Sequence, residues 1–139
     1  MSKPMHLTLK AGDRVFINGA VLRANRKVTL ELLNDATFLL EGHVLQPEET
    51  TTPLRQLYFV LQAALMDPQN AAAAEKLFSN LMFRTRSAFS SGPILSGLAS
   101  AEALVAADRC FDALREIRRL LPVEAEILAR PSLSIAEAA

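Results

Sequence analysis

The sequence predicts an α+β protein, with a small N-terminal antiparallel β meander or barrel followed by a three- to four-helix C-terminal unit. Apolar residues recur at every second position before residue 50 and at every third or fourth position after it. Glycine turns punctuate the first part and proline interrupts the second. The expected organisation is a basic β-rich subdomain at 1–47, a helical subdomain at 48–130 and a flexible tail at 131–139.

The strands follow in order. Met5, Leu7 and Leu9 alternate with His6, Thr8 and Lys10, the pattern of a strand with one wet face. Ala11-Gly12-Asp13 turns the chain into Arg14–Ile17. Asn18-Gly19 between apolar runs signals a tight hairpin, because both residues tolerate positive φ. Ala20–Arg23 returns, and Ala24–Lys27 forms a second, basic turn. Val28, Leu30 and Leu32 mark another strand, Asn34-Asp35 a turn, and Thr37–Glu41 a further strand.

Thr52 suits a helix N-cap and Pro53 a first helical position, with Glu48 and Glu49 near the positive end. Leu54, Leu57, Tyr58, Leu61 and Leu65 form one stripe. Asp67-Pro68 ends that helix and opens a second, expected to about Ser90 and to bury Leu77, Phe78, Leu81 and Phe89. Ser90–Pro93 and Ser96-Gly97 read as a connection. A third helix is expected from Ser100, with Leu104, Ala107, Phe111, Leu114, Ile117 and Leu121 inside and a break at Pro122. A short helix through Leu128 would follow.

The chain has 139 residues, half of them apolar, enough for one compact domain or two subdomains sharing a core. It has no apolar run long enough to span a membrane and no secretory signal at Met1–Pro4. Cys110 is the only cysteine, which fits a reducing cytoplasm; its simplest role is that of a small core filler. Formal charge balances overall but not locally. Lys3, Lys10, Arg14, Arg23, Arg26 and Lys27 face only Asp13 within residues 1–30, a net +5, and the remainder carries −5. This asymmetry fits an anionic partner, and equally fits solvated strand edges that resist aggregation.

Nothing in the sequence reads as catalytic. Two histidines and one cysteine make no metal cluster, so no metal or other cofactor is expected. There is no phosphate-cradling glycine loop and no nucleophile elbow. His6 reads as an exposed strand histidine, or as part of an RNA-facing surface. Tyr58 reads as core with its hydroxyl at the rim. On the third helix, Asp112–Arg115 and Glu116–Arg119 at i,i+3 describe a solvated, ion-paired face rather than a nucleic-acid patch.

Two segments, Leu9–Ala20 and Thr51–Phe59 with Leu65-Met66-Asp67-Pro68, resemble the FlbT family of flagellar regulators of alphaproteobacteria, in order from about Leu7 to Arg119. The resemblance implies a cytoplasmic post-transcriptional regulator that associates with the 5′ untranslated region of flagellin mRNA and promotes its decay. In some relatives the effect is activating, and the family is linked genetically to the flagellin regulator FlaF. Residues 7–17 are also similar to the opening of the mRNA-binding CsrA family. That pattern has two adjacent basic residues before the glycine, and here Lys10 alone matches.

The basic β unit suits an RNA backbone, with Lys10, Arg14, Arg23, Arg26 and Lys27 as the candidate contacts. Its aromatic residues, Phe16 and Phe38, are expected to face the core, so binding would lean on charge and shape. The resemblance makes the flagellin mRNA leader the expected partner. The alternative is an adaptor or chaperone for flagellin or FlaF, with indirect RNA effects, for which the amphipathic helices offer a groove. A homodimer fits either reading.

Overall fold

The computed structural model describes residues 5–34 and 38–130. Five strands come first: β1 (Met5–Leu9), β2 (Arg14–Ile17), β3 (Ala20–Arg23), β4 (Val28–Leu32) and β5 (Phe38–Leu40). Four helices follow: α1 (Pro53–Met66), α2 (Ala71–Ala88), α3 (Gly92–Ala106) and α4 (Cys110–Leu128). The fold is α+β, with antiparallel strands preceding the helices.

The strands form two small sheets rather than a sequential meander. Among the described residues only β2 and β3 make a tight hairpin, closed by Asn18 (φ 50°) and Gly19 (φ 85°). β1 passes this hairpin and pairs antiparallel with β4, from Met5 opposite Leu32 to Leu9 opposite Val28. β2 sits between β3 and β5. The reason is the Lys10–Asp13 turn, which bonds across to the β3–β4 connection instead of folding β2 back on β1. Gly12 N donates to Ala24 O at 2.7 Å, and Ala24 N donates to Asp13 O at 2.9 Å. β5 is shorter than Thr37–Glu41, because Glu41 opens a 3-10 turn (Glu41–His43). Asp35 and Thr37 of the expected turn and strand, and the tail at 131–139, lie outside the described residues.

Leu7, Leu9, Val15 and Phe38 form a small core under the sheets. A larger one joins the helices around Leu54, Leu57, Leu61, Phe78, Leu98 and Leu114 and reaches Leu39 of β5. Each such buried side chain contributes about 1.5–3 kcal/mol relative to exposure. The hairpin tip rests on the corner between α1 and α2, where a Cβ at Gly19 would lie 3.2 Å from Pro68 Cδ.

α1 starts where expected. Pro53 is its first residue and Thr52 Oγ1 accepts from Arg55 N. Glu49 is used by a separate 3-10 turn, where it accepts from Gln46 N at 2.8 Å. α2 follows the 3-10 turn at Pro68–Asn70 and buries Phe78, Met82 and Thr85, with Phe89 buried just past its end. Leu77, expected inside, is 51% exposed, because its neighbour Phe78 points into the core.

The third helical region departs most from expectation. The connection is shorter than expected: Phe89, Ser90 and Ser91 join the two helices, Ser91 Oγ caps α3 by accepting from Ile94 N, and Pro93, Ser96 and Gly97 lie inside α3. Gly97 lets α3 approach α4. A Cβ there would lie 2.5 Å from Leu120 Cδ1. The single helix expected from Ser100 is two helices, separated at Ala107–Arg109, where Asp108 takes φ 62°. Pro122 lies inside α4. It removes one backbone hydrogen bond, but Ile117, Leu120, Glu124 and Ile127 on both sides of it are buried, and this packing carries the helix through.

Candidate nucleic-acid interface

The register of the strands gathers the basic residues. Leu9 opposes Val28, so the next residues outward, Lys10 and Lys27, emerge at the same end. In the other sheet Arg14 directly opposes Arg23. The two Gly12–Asp13 bonds to Ala24 hold the two turns side by side. Lys10, Arg14, Arg23, Arg26 and Lys27 therefore share one end of the β unit, and all five are exposed. Within β2 and β3 this is the end away from the hairpin tip that rests on Pro68.

These five are not equivalent. Arg14 is held by Glu41: its NH2 lies 2.8 Å and its Nε 2.9 Å from Oε2, while its backbone N donates to Oε1 at 3.1 Å. These bonds draw the Glu41 carboxyl below its ordinary value. The side chains of Lys10, Arg23, Arg26 and Lys27 make no ion pair among the described residues, and the backbone N of Lys10 donates to Asp13 Oδ2 at 2.9 Å. Four unpaired cations and one neutralised arginine thus remain for a polyanion. His6 faces solvent beside Glu31 at 3.5 Å.

The β-unit aromatics are turned inward. Phe16 packs against the helical core. Phe38 is buried and meets Phe111 of α4, with ring centroids 5.1 Å apart and planes tilted by 42°. Tyr58 is core, its hydroxyl donating to His43 O at 2.5 Å, and burial raises its pKa. The basic turns therefore offer charge without a stacking platform.

α4 corrects the reading of a uniformly ion-paired face. Arg109 pairs with Asp112 at 2.7 Å, and Arg119 pairs with Glu116. Arg115 does not pair with Asp112. Its guanidinium lies over the Phe111 ring, 5.9 Å from the centroid. Arg118 NH1 donates to Tyr58 Oη at 3.5 Å. Both arginines line a cleft of about 210 Å³ with His43, Phe38 and Phe111. The sequence signal for this contact is the i,i+4 spacing of Phe111 and Arg115, which makes them neighbours on one helix face. Burial and the Arg118 charge lower the His43 pKa, favouring its neutral form.

Cys110 opens α4, partly buried, with Sγ 3.7 Å from Glu75 Oε1. Burial and that carboxylate push its thiol up to about 11. Among the described residues no group of three or more His, Cys, Asp or Glu side chains could hold a metal ion. No described helix is long and apolar enough to cross a membrane.

Comparison with known proteins places this architecture. A relative from Brucella anthropi, named "Probable flagellum biosynthesis repressor protein FlbT", is 53% identical over 128 residues, covering 92% of this chain and 84% of the relative. Relatives of the same name from Brucella ovis and Brucella canis are each 53% identical over 124 residues, covering 89% of this chain and 82% of theirs. No solved structure matches significantly. The family model described as "Flagellar protein FlbT" matches residues 5–128, from the first strand to the last residue of α4, and the chain belongs to that family.

Proposed function

We propose that this protein is a post-transcriptional regulator of flagellum biogenesis. In this reading it associates in the cytoplasm with the 5′ untranslated region of flagellin mRNA and promotes its degradation or limits its translation, without catalysis of its own. Family membership and relatives named as flagellum biosynthesis repressors support the process. The single observation that favours RNA as the target is the convergence of Lys10, Arg23, Arg26 and Lys27, whose side chains make no ion pair among the described residues, at one end of the β unit. Each phosphate neutralised there adds affinity and salt sensitivity. The test is a binding assay with purified protein, the leader RNA, a scrambled RNA and flagellin side by side. Preference for the leader supports the proposal; binding to flagellin alone rejects it.

A second reading has its own observation. Edge strand β3 is exposed along its length, with Val21 at 58% and Leu22 at 48%, and Phe83 of α2 stands 76% exposed. An open strand edge and an exposed phenylalanine suit a protein partner such as flagellin or FlaF, or a second copy of this chain. Nuclease-resistant co-purification with one of these would favour this reading.

A further inference from the structure

We propose that the cleft between β1, β5 and α4 binds one unpaired nucleotide, with the base against Phe38 and Phe111 and the phosphate between Arg115 and Arg118. This rests on the RNA reading above and supplies what that reading lacks. The basic turns hold a backbone but carry no ring, and single-stranded RNA is read largely through stacking on unpaired bases.

The cleft has the chemistry for both halves of a nucleotide. Its wall is apolar and aromatic, made by Leu7, Phe38 and Phe111. An engineered cavity of about 150 Å³ accommodates a benzene ring, so a cleft of about 210 Å³ takes one heteroaromatic base with its ribose and phosphate at the mouth. Its polar side is made by His43, Arg115 and Arg118, and among the described residues no carboxylate lines it. Arg86, Arg109 and Arg119 are each tied to a Glu or Asp, whereas Arg115 and Arg118 have none within ion-pair distance among the described residues. Two guanidinium groups unspent on acids beside an aromatic pair favour an anionic aromatic ligand over an aliphatic or cationic one. Neutral His43 can both donate to and accept from a base edge.

The test compares a short unstructured RNA with an abasic oligonucleotide of the same length, by anisotropy with the full chain. The wild type should prefer the RNA by about tenfold, the scale of one stacked base. Phe111→Leu, with folding checked by thermal melting, should remove most of that preference, whereas Arg115→Gln, at an exposed position that leaves the core intact, should weaken the binding of both oligonucleotides alike. Salt dependence should change by no more than one phosphate contact. Equal binding of the two oligonucleotides by the wild type, or an undiminished preference in Phe111→Leu, would overturn the cleft assignment and leave RNA binding by the turns standing. Failure of the wild type to bind either oligonucleotide would overturn both.

Discussion

The Glu124 carboxylate of α4 caps the amino end of α1: its Oε2 accepts from the backbone N of Leu54 at 2.8 Å, across 70 residues of sequence. Its other oxygen accepts from Thr52 Oγ1, which itself caps the same helix end. A residue near the far end of the chain thus satisfies orphan donors at the seam between strands and helices. Glu124→Leu should cost about 2–3 kcal/mol, because a buried N–H and hydroxyl lose their acceptor. Glu124→Gln, which keeps one acceptor oxygen, should cost less. Thermal melts of the three proteins order the effects.

The same carboxylate sets a pH dependence. Burial raises the Glu124 pKa above 4.5, against the lowering effect of Thr52 and Leu54. The folded state then holds this proton more tightly than the unfolded state. Its stabilising contribution is full below about pH 4.5 and declines as pH rises through the folded value. Glu41 has the opposite sign. Its hydrogen bond to Arg14 lowers its pKa, so its contribution is present above 4.5 and declines as pH falls through the folded value. Denaturation from acid to neutral pH should show wild type losing ground to Glu124→Gln as pH rises and to Glu41→Gln as pH falls.

Much of the β unit was legible because its signals are local. Asn18-Gly19 needs positive φ, and the alternation at Met5–Leu9 buries Leu7 and Leu9, whereas the same alternation at Val28–Leu32 buries no residue and leaves Leu30 38% exposed. The pairing of β1 with β4 was hidden, because it depends on bonds between Gly12 or Asp13 and Ala24 that no single segment announces. Likewise Thr52-Pro53 declares the start of α1, but the passage of α4 through Pro122 is decided by packing. The basic residues were legible as charge. That Glu41 occupies Arg14, and that Arg115 turns to Phe111, required the fold.

Gly97 should be the least tolerant glycine of the helical unit. An added methyl would meet Leu120, itself 3% exposed, at 2.5–3.0 Å. Gly97→Ala should destabilise by about 1–3 kcal/mol through overpacking. Pairing it with Leu120→Val should recover part of that loss in a urea titration, and strict additivity would contradict this packing.

Cys110 should be chemically quiet. A thiol at about 11 against an ordinary value of 9.0 presents on the order of a hundredfold less thiolate near neutrality. Iodoacetamide labelling of the folded chain should be correspondingly slower than in urea. Glu75→Gln should speed it by removing the nearby negative charge.

The central claim is that the turn cations Arg23, Arg26 and Lys27 hold RNA while Arg14 is occupied by Glu41. The direct measurement is the affinity for the flagellin mRNA leader as a function of salt, for wild type, Arg14→Gln and the triple charge reversal Arg23→Glu/Arg26→Glu/Lys27→Glu. The account predicts a loss in the triple variant that shrinks as salt rises, a salt slope lower by roughly 2 from three lost phosphate contacts, and little change in Arg14→Gln. Unchanged leader affinity in the triple variant at moderate salt would contradict it.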